Sequence, residues 1–326
     1  MRLNRTKRAK KKGSVKSKIL IGALIAILAV VGGIGGYVWA LFGKMDKVDL
    51  DKENLGSNVE LNDEYSHIKN IAFFGVDQAD GEGGRSDSMM VATIDTKNDK
   101  IKLTSLMRDS YVEIPGNGSN KLNAAYAFGS EELAIQTINK NFDLNIEDFV
   151  TVDFSSLPKV IDEIGGIEIN IEANVLNELN RYIGDNNRRL NRNSGNIYNA
   201  GLTNLDGVQA LAYCRIRYGV GDDFARTDRQ REVIDGILKK IFSMSPTKYP
   251  GLLNEVFPMV KTSLSTGAIM EMGTDVLSIG NNLEQNRFPT DDDLKGEMIN
   301  GMSCLTFDKA VTTDKIHKWI FEDIKE

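Results

Sequence analysis

Residues Ile19 to Phe42 form a run of 24 residues without a charge, and this run limits the chain's architecture more than any other feature. At about 1.5 Å per residue, a helix of that length crosses the roughly 30 Å hydrocarbon core of a bilayer. Tyr37 and Trp39 stand near one end, where amphipathic rings favour the interface. Nine cations and no acid precede the run in residues 1–18. The N-terminus is therefore expected in the cytoplasm and the 284 residues after Phe42 outside. Val38-Trp39-Ala40 has the small-x-small form of a cleavage site, so a cleaved signal peptide is the alternative. The run is long for that, and an uncleaved anchor is the reading taken. Gly32 and Gly36 make a GxxxG pair, a weak signal for a homodimer through the membrane helix.

Charge separates the tail from the body. The formal net charge is −6, so everything after residue 18 carries −15. A nucleic-acid-binding domain places its cations on the folded body, and this one does not, so no nucleic acid is expected as a partner. Only Cys214 and Cys304 lie outside the membrane, and one bridge between them is neither required nor excluded. His67 and His317 stand near opposite ends of the external part, with no HExxH or CxxC spacing. Zinc chemistry and histidine-based nucleophilic catalysis are poor fits, which leaves carboxylates, arginines and a hard metal.

Residues 43–66 are polar and read as a linker. From residue 67 to 326 the texture is globular, consistent with one external α/β domain. Strands are expected at 71–76, 89–95 and 100–107, the last two as a hairpin around Thr96-Lys-Asn-Asp, and at 167–171. Helices are expected at 131–141 and 155–164, the second stopped by Gly165-Gly166. Another is expected from an N-cap at Thr227 to about Phe242, with further helices at 249–262, 269–283 and 308–325. Residues 176–200, rich in Asn and Arg, read as a long loop.

Five arginines, Arg215, Arg217, Arg226, Arg229 and Arg231, fall within seventeen residues of this acidic body. Tyr213, Ile216, Tyr218 and Phe224 flank them, so the cluster reads as an anion site walled by core rather than a solvated face. Asp77 ends an expected strand, and Arg85-Ser-Asp87 follows a Gly-rich stretch. Two carboxylates with an Arg beside them suit a magnesium ion shared with substrate phosphates. Arg108-Asp109 ends the next strand, and Lys121-Leu-Asn123 follows. Ordinary ion pairing among these residues is the competing reading for each of them.

In order and spacing, these stretches closely resemble the LytR-CpsA-Psr family of cell-envelope proteins. The matching pieces are Phe74-Gly-Val-Asp77, Arg85-Ser-Asp87-Ser-Met, Ser105-Leu-Met-Arg108-Asp109 and Lys121-Leu-Asn-Ala-Ala-Tyr126. They continue through Val152-Asp-Phe, Ile161 to Ile167, Leu205 to Arg217 and Asp223 to Arg231, so the likeness covers about residues 68–245. The resemblance implies an α/β/α domain with a central mixed sheet behind one transmembrane helix, on the outer face of a Gram-positive-type cell membrane.

It also implies an activity: phosphotransfer of a glycopolymer, such as wall teichoic acid or capsule, from an undecaprenyl-diphosphate-linked glycan donor to a peptidoglycan acceptor. Asp77 and Asp87 match the family's metal-binding acids, for Mg2+ or Mn2+. Arg85, Arg108, Arg217, Arg226 and Arg229, with Lys121, match positions that hold the diphosphate. Among them Arg85, Asp87, Arg108 and Arg226 would carry the chemistry. An apolar pocket would take the polyprenyl chain, although Phe73, Met89 and Leu211 read first as plain core. Two departures stand out: Ala79 where members often have Arg, and Met107 where proline is usual. The alternatives are a pyrophosphatase acting on the lipid diphosphate, and a non-enzymatic, membrane-tethered transcriptional regulator.

Overall fold

A computed structural model describes residues 40–76, 86–153, 156–216, 223–280 and 282–325. It has two units, residues 1–44 and 45–326. In the first, Ala40, Leu41 and Phe42 are helical and are the described part of the expected span; the tail 1–18 lies outside the described residues. Among the described residues no helix is long and apolar enough to cross a membrane.

The second unit is built on a seven-stranded mixed sheet. Its strands, in spatial order, are β1 (Asp46–Lys47), β10 (Val260–Thr262), β7 (Asp148–Asp153), β2 (Ile68–Val76), β3 (Ser86–Asp95), β4 (Lys100–Leu106) and β11 (Leu283–Phe288). β2 and β7 run parallel, as do β4 and β11, while β3 is antiparallel to both its neighbours. The β3–β4 hairpin forms because Asp95 accepts from the amides of Lys97 and Asn98, at 3.1 and 3.0 Å, closing an Asx-type turn.

Helices cover both faces. On one, α2 (Leu122–Phe142) and α9 (Lys309–Ile320) pack over Phe74, Met89, Phe149 and Trp319, all within 2% of complete burial. On the other, α8 (Thr266–Ile279) covers Ile94 with Leu264 and Met272. The layers are therefore α/β/α. Met89 is core, as its plain reading has it.

Residues 156–259 form an insert between β7 and β10 with a core of its own around Ile161, Leu179, Ile183, Leu205 and Val233. Its elements are α3 (Leu157–Glu163), β8 (Ile167–Ile171), α4 (Leu176–Leu190), β9 (Gly201–Leu205), α5 (Gly207–Arg215), α6 (Asp223–Ser243) and α7 (Tyr249–Val256). Two small hairpins and one short helix complete the described strands and α-helices: β5 (Tyr111–Ile114) with β6 (Gly118–Lys121), β12 (Leu294–Ile299) with β13 (Met302–Phe307), and α1 (Val59–Glu64).

Several expectations are corrected. The expected linker 43–66 belongs largely to the domain: β1 joins the sheet edge, Leu55 is fully buried, and Asn139 donates to its carbonyl at 3.0 Å. Polar composition hid this because two leucines, Leu55 and Leu61, are enough to pin the segment. The expected loop 176–200 begins with α4, whose Leu176, Leu179, Ile183 and Leu190 repeat at helical spacing below a polar face. The rest of it is tied back, since Asn180 both donates to and accepts from the backbone of Ile197 at 2.8 Å. Thr227 lies inside α6, not at its start. The expected helices 249–262 and 269–283 end early, giving way to β10 and β11.

A buried charge network fastens α9. Lys102, on β4, is fully buried; its Nζ donates to the carbonyls of Trp319 and Ile320 at 2.9 and 3.2 Å and lies 3.0 Å from Asp323. Burial alone would raise the Asp323 carboxyl, but hydrogen bonds from Lys100 and Lys102 outweigh it and hold the group below the usual carboxylate range. A depressed carboxyl adds stability above its unfolded value near 3.9, and loses it as pH falls through the lower folded value. Asp323→Asn should cost about 2 kcal/mol at pH 7. The gap from wild type should begin to narrow below about pH 4 and close only once pH falls below the folded value, as urea unfolding across that range will show.

Candidate functional site

The carboxyl ends of β2, β7, β4 and β11 lie at one edge of the sheet, where open α/β sheets bind ligands. β3 starts there. Gly75 pairs with Ser88 and Val76 with Ser86, so Asp87 is the extra residue of a β-bulge. Bulges recur beside active sites because they re-aim the chain. The buried Ser86 hydroxyl braces this one, lying 2.7 Å from the Ser88 carbonyl and 3.2 Å from that of Gly75. Asp77 and Arg85 fall in 77–85, outside the described residues, directly beyond Val76 and before Ser86.

Arg108 and Asp109 follow β4 at the same edge. The Asp109 carboxylate, 8% exposed, accepts from Lys121 Nζ at 2.8 Å and lies 3.5 Å from Arg108 Nε. Asn123 donates its amide to the Arg108 carbonyl at 3.1 Å, fixing the start of α2 against this pair. Lys121, expected on the diphosphate, is thus bound to Asp109, and the three side chains form one unit. Lys121→Met and Asp109→Asn should therefore be non-additive. A double-mutant cycle on stability is expected to give a coupling of about 1–3 kcal/mol, and additive losses would show the pair to be independent.

Sequence reasoning missed three further polar groups here. The hydroxyls of Ser88 and Ser105 and the amide oxygen of Asn123 are buried and make no hydrogen bond among the described residues. Ser105 pairs with Met90 and Ser88 stands two residues before it, so both serines share one face at the edge. Leaving a buried polar atom unpaired costs about 1–3 kcal/mol, and such atoms commonly await a ligand.

The arginine cluster occupies α5 and α6. α5 opens with a capping box: Asp206 accepts from the Gln209 amide and Gln209 from that of Asp206, both at 2.9 Å. At its other end Arg215 donates to Asn186 at 2.6 Å, and on α6 Arg231 pairs with Asp228. Each of these two therefore has a local partner. Arg229 is 6% exposed; it donates to the Ile216 carbonyl at 3.2 Å and lies over the Tyr213 ring at 5.9 Å. Tyr213 in turn donates to Glu232 at 2.6 Å; burial, then that bond, raises its phenol. Arg226 is 3% exposed and stands at the fourth position of α6. Arg217 lies outside the described residues. Cys214 and Cys304 are both free and buried, and burial pushes the Cys214 thiol up to about 12.

Topology relates the two groups. The insert leaves β7 at its carboxyl end and returns to β10 at Val260, which pairs with Val152. Both ends of the insert carrying α6 are therefore at the edge that holds Arg108 and the Asp87 bulge. Contacts join Arg108, Asp109, Lys121 and Asn123 directly, and the insert that carries the α6 arginines is tied to the same edge at both its ends.

Comparison with known proteins identifies the family. The model of the LytR_cpsA_psr family matches residues 42–318, well beyond the 68–245 of the motif likeness. The polyisoprenyl-teichoic acid–peptidoglycan teichoic acid transferase TagU of Enterococcus faecalis is 32% identical over 310 residues, 93% of this chain and 95% of that protein. The fold resembles that of TagT bound to LIIa-WTA, with TM-score 0.63 and 22% identity over 79% of this chain and 91% of that one. It also resembles the LytR-CPS2A-psr family protein YwtF (TagT) with bound octaprenyl pyrophosphate lipid, with TM-score 0.57 and 21% identity over 78% and 91%. With the family model spanning most of its length, the chain belongs to the LytR-CpsA-Psr family.

Proposed function

We propose that this protein is a membrane-anchored phosphotransferase on the outer face of the cell membrane. It moves a teichoic acid or related glycopolymer from undecaprenyl diphosphate to peptidoglycan. The likeness to TagU over nearly its whole length supports the reaction class. The observation that carries the reading is the burial of Arg226 and Arg229, 3% and 6% exposed, on the first two turns of α6. The helix dipole is positive at that end, and guanidinium groups held there add to a field that draws in an anion such as a diphosphate.

Phosphoryl transfer needs the diphosphate positioned and its developing charge neutralised. Arg85, Arg108, Arg217, Arg226 and Arg229 would hold the phosphate oxygens, with Lys121 and Asp109 setting the position of Arg108. Asp77 and Asp87 would hold Mg2+ or Mn2+. Carboxylate oxygens are hard donors of the kind such an ion takes. When bound, the ion supplies charge neutralisation at the phosphate oxygens. A sugar hydroxyl of peptidoglycan attacks the glycan-linked phosphorus, the bond to the bridging oxygen breaks, and undecaprenyl phosphate leaves, taking up the proton that the hydroxyl gives up. The Asn123 amide oxygen, held beside Arg108, can accept the hydrogen bond of the incoming hydroxyl.

The test is product analysis with the full chain in vesicles, given magnesium, a lipid-diphosphate-linked glycan and peptidoglycan oligomers. A phosphodiester between glycan and oligomer is expected. Glycan phosphate released equally with and without acceptor would instead identify a pyrophosphatase.

A further inference from the structure

We infer that residues 193–204 of the insert, with the exposed face of β8, form a docking platform for the sugar rings of a peptidoglycan strand. The inference rests on the function proposed above and deepens it by giving the acceptor a place.

The segment is irregular but fixed. From Arg192 to Tyr198 it has neither helix nor strand, yet side chains of two helices hold its backbone at three points. Asn187, on α4, donates to the Ser194 carbonyl at 2.9 Å and accepts from the Ser194 amide at 2.8 Å. Asn180 holds both backbone groups of Ile197 in the same way, at 2.8 Å each. Gln209, on α5, donates to the Gly195 carbonyl at 2.9 Å. The Ile197 side chain is buried in the core of the insert. Ordering a residue costs about 1–2 kcal/mol, and here that cost is met before any ligand arrives.

The fixed backbone displays a ring and amides. Tyr198 directly follows the Ile197 anchor and is 80% exposed. Asn196 and Asn199 flank that dipeptide and are exposed as well. Leu202, 70% exposed, pairs with Asn170, and Asn204 with Glu168, all on the outer face of the β8–β9 hairpin. A rigid tyrosine ring offers a flat apolar surface to the C–H face of a sugar. An amide both donates to and accepts from hydroxyl and N-acetyl groups.

Charge decides which glycan. Arg181 is paired with Glu178, Arg188 with Asp185 and Arg192 with Asp162, while Glu168 adds an exposed acid. A phosphodiester polymer such as teichoic acid meets cations already matched here, and its diphosphate is held at the arginines of the site. The sugar rings of the acceptor strand carry no charge for an arginine to grip, so they need a neutral surface. Helix α5 connects that surface to the site. Gln209 holds Gly195 near its start, and Ile216, just past its end, accepts from Arg229 at 3.2 Å. The seven residues between them span about 10 Å.

The experiment measures equilibrium binding of labelled, uncrosslinked peptidoglycan oligomers to the full chain in vesicles. Tyr198→Ala should weaken binding about ten-fold, and Tyr198→Phe, which keeps the ring, should stay within about two-fold of wild type. Steady-state rates of Tyr198→Ala should show KM for the oligomer raised about ten-fold and KM for the lipid-linked donor unmoved. Oligomer binding equal to wild type in Tyr198→Ala overturns the inference. So does a raised KM for the donor alone, which would put the other glycan on this surface. Both variants should melt within about 2 °C of wild type; a larger fall in Tyr198→Ala would make the ring structural and also overturn it. Binding is read without turnover, so oligomer binding that depends on Tyr198 but yields no phosphodiester would count against the proposed reaction alone.

Discussion

Transfer by the Arg226→Ala protein is expected to fall by about two to three orders of magnitude, the usual loss when one preorganised charge donor is removed from a phosphoryl or acyl transfer site. Arg226 is buried to 3% and sits within the first turns of α6, against the preference of the helix dipole for an acid at that end. Arg226→Lys keeps the charge but loses the planar fork, and about a ten-fold loss is expected of it. Arg231→Ala, five positions on, removes only an ion pair with Asp228 that is half exposed on the acid's side. Its rate should stay within about two-fold of wild type, as surface pairs contribute little. The measurement is the initial rate of phosphodiester formation with lipid-linked donor, alongside thermal unfolding to confirm that each variant is folded. An Arg226→Ala protein that keeps more than a tenth of the wild-type rate would remove this arginine from the site.

The motif positions of the arginines were legible in the sequence, and the polar groups that complete the edge were not. Arg215 and Arg231 stand apart from the motif positions, and the structure gives each a local partner, Asn186 and Asp228. Strand β8 was legible because Gly165 and Gly166 precede it. Both adopt positive φ, and a Cβ on Gly166 would lie 2.9 Å from the Leu205 carbonyl. The bulge at Asp87 leaves no such mark. Arg85-Ser-Asp-Ser precedes the strand expected at 89–95, and the extra residue emerges only when Gly75 and Val76 pair with Ser88 and Ser86. Ser88 and Ser105 become unusual only once β2, β3 and β4 are in register and their hydroxyls are buried without partners. The domain boundary was misread for a related reason. Residues 45–66 hold their place through a two-residue edge strand and two buried leucines, too little apolar pattern to stand out from a linker.

Gly207→Ala is expected to be the most damaging single methyl group that can be added to the insert. A Cβ there would lie 2.0 Å from the Pro158 carbonyl oxygen and 2.3 Å from its Cα. Both are backbone atoms, so no rotamer relieves the clash. Gly207 is the first residue of α5, between the capping box of Asp206 and Gln209 and a 2.8 Å hydrogen bond from its own amide to Asp162 on α3. Making room means parting α3 from α5, which breaks that bond and loosens the core around Ile161 and Val208. Overpacking of this kind costs about 3 kcal/mol, which for a domain of this size lowers the melting temperature by about 6–12 °C. The shift also reaches the site, because α5 carries Tyr213 and leads into Ile216, the two groups that hold Arg229. Transfer should therefore drop even at temperatures where the variant is folded. Gly273, exposed in the interior of α8 with nothing within 4 Å of its would-be Cβ, supplies the contrast. Its replacement by alanine should raise stability by about 0.4–1 kcal/mol through helix propensity and a less mobile unfolded chain. Melting curves of the two variants should move in opposite directions; a Gly207→Ala protein melting within about 2 °C of wild type, less than 1 kcal/mol, would mean that α3 and α5 are not in close contact at Pro158.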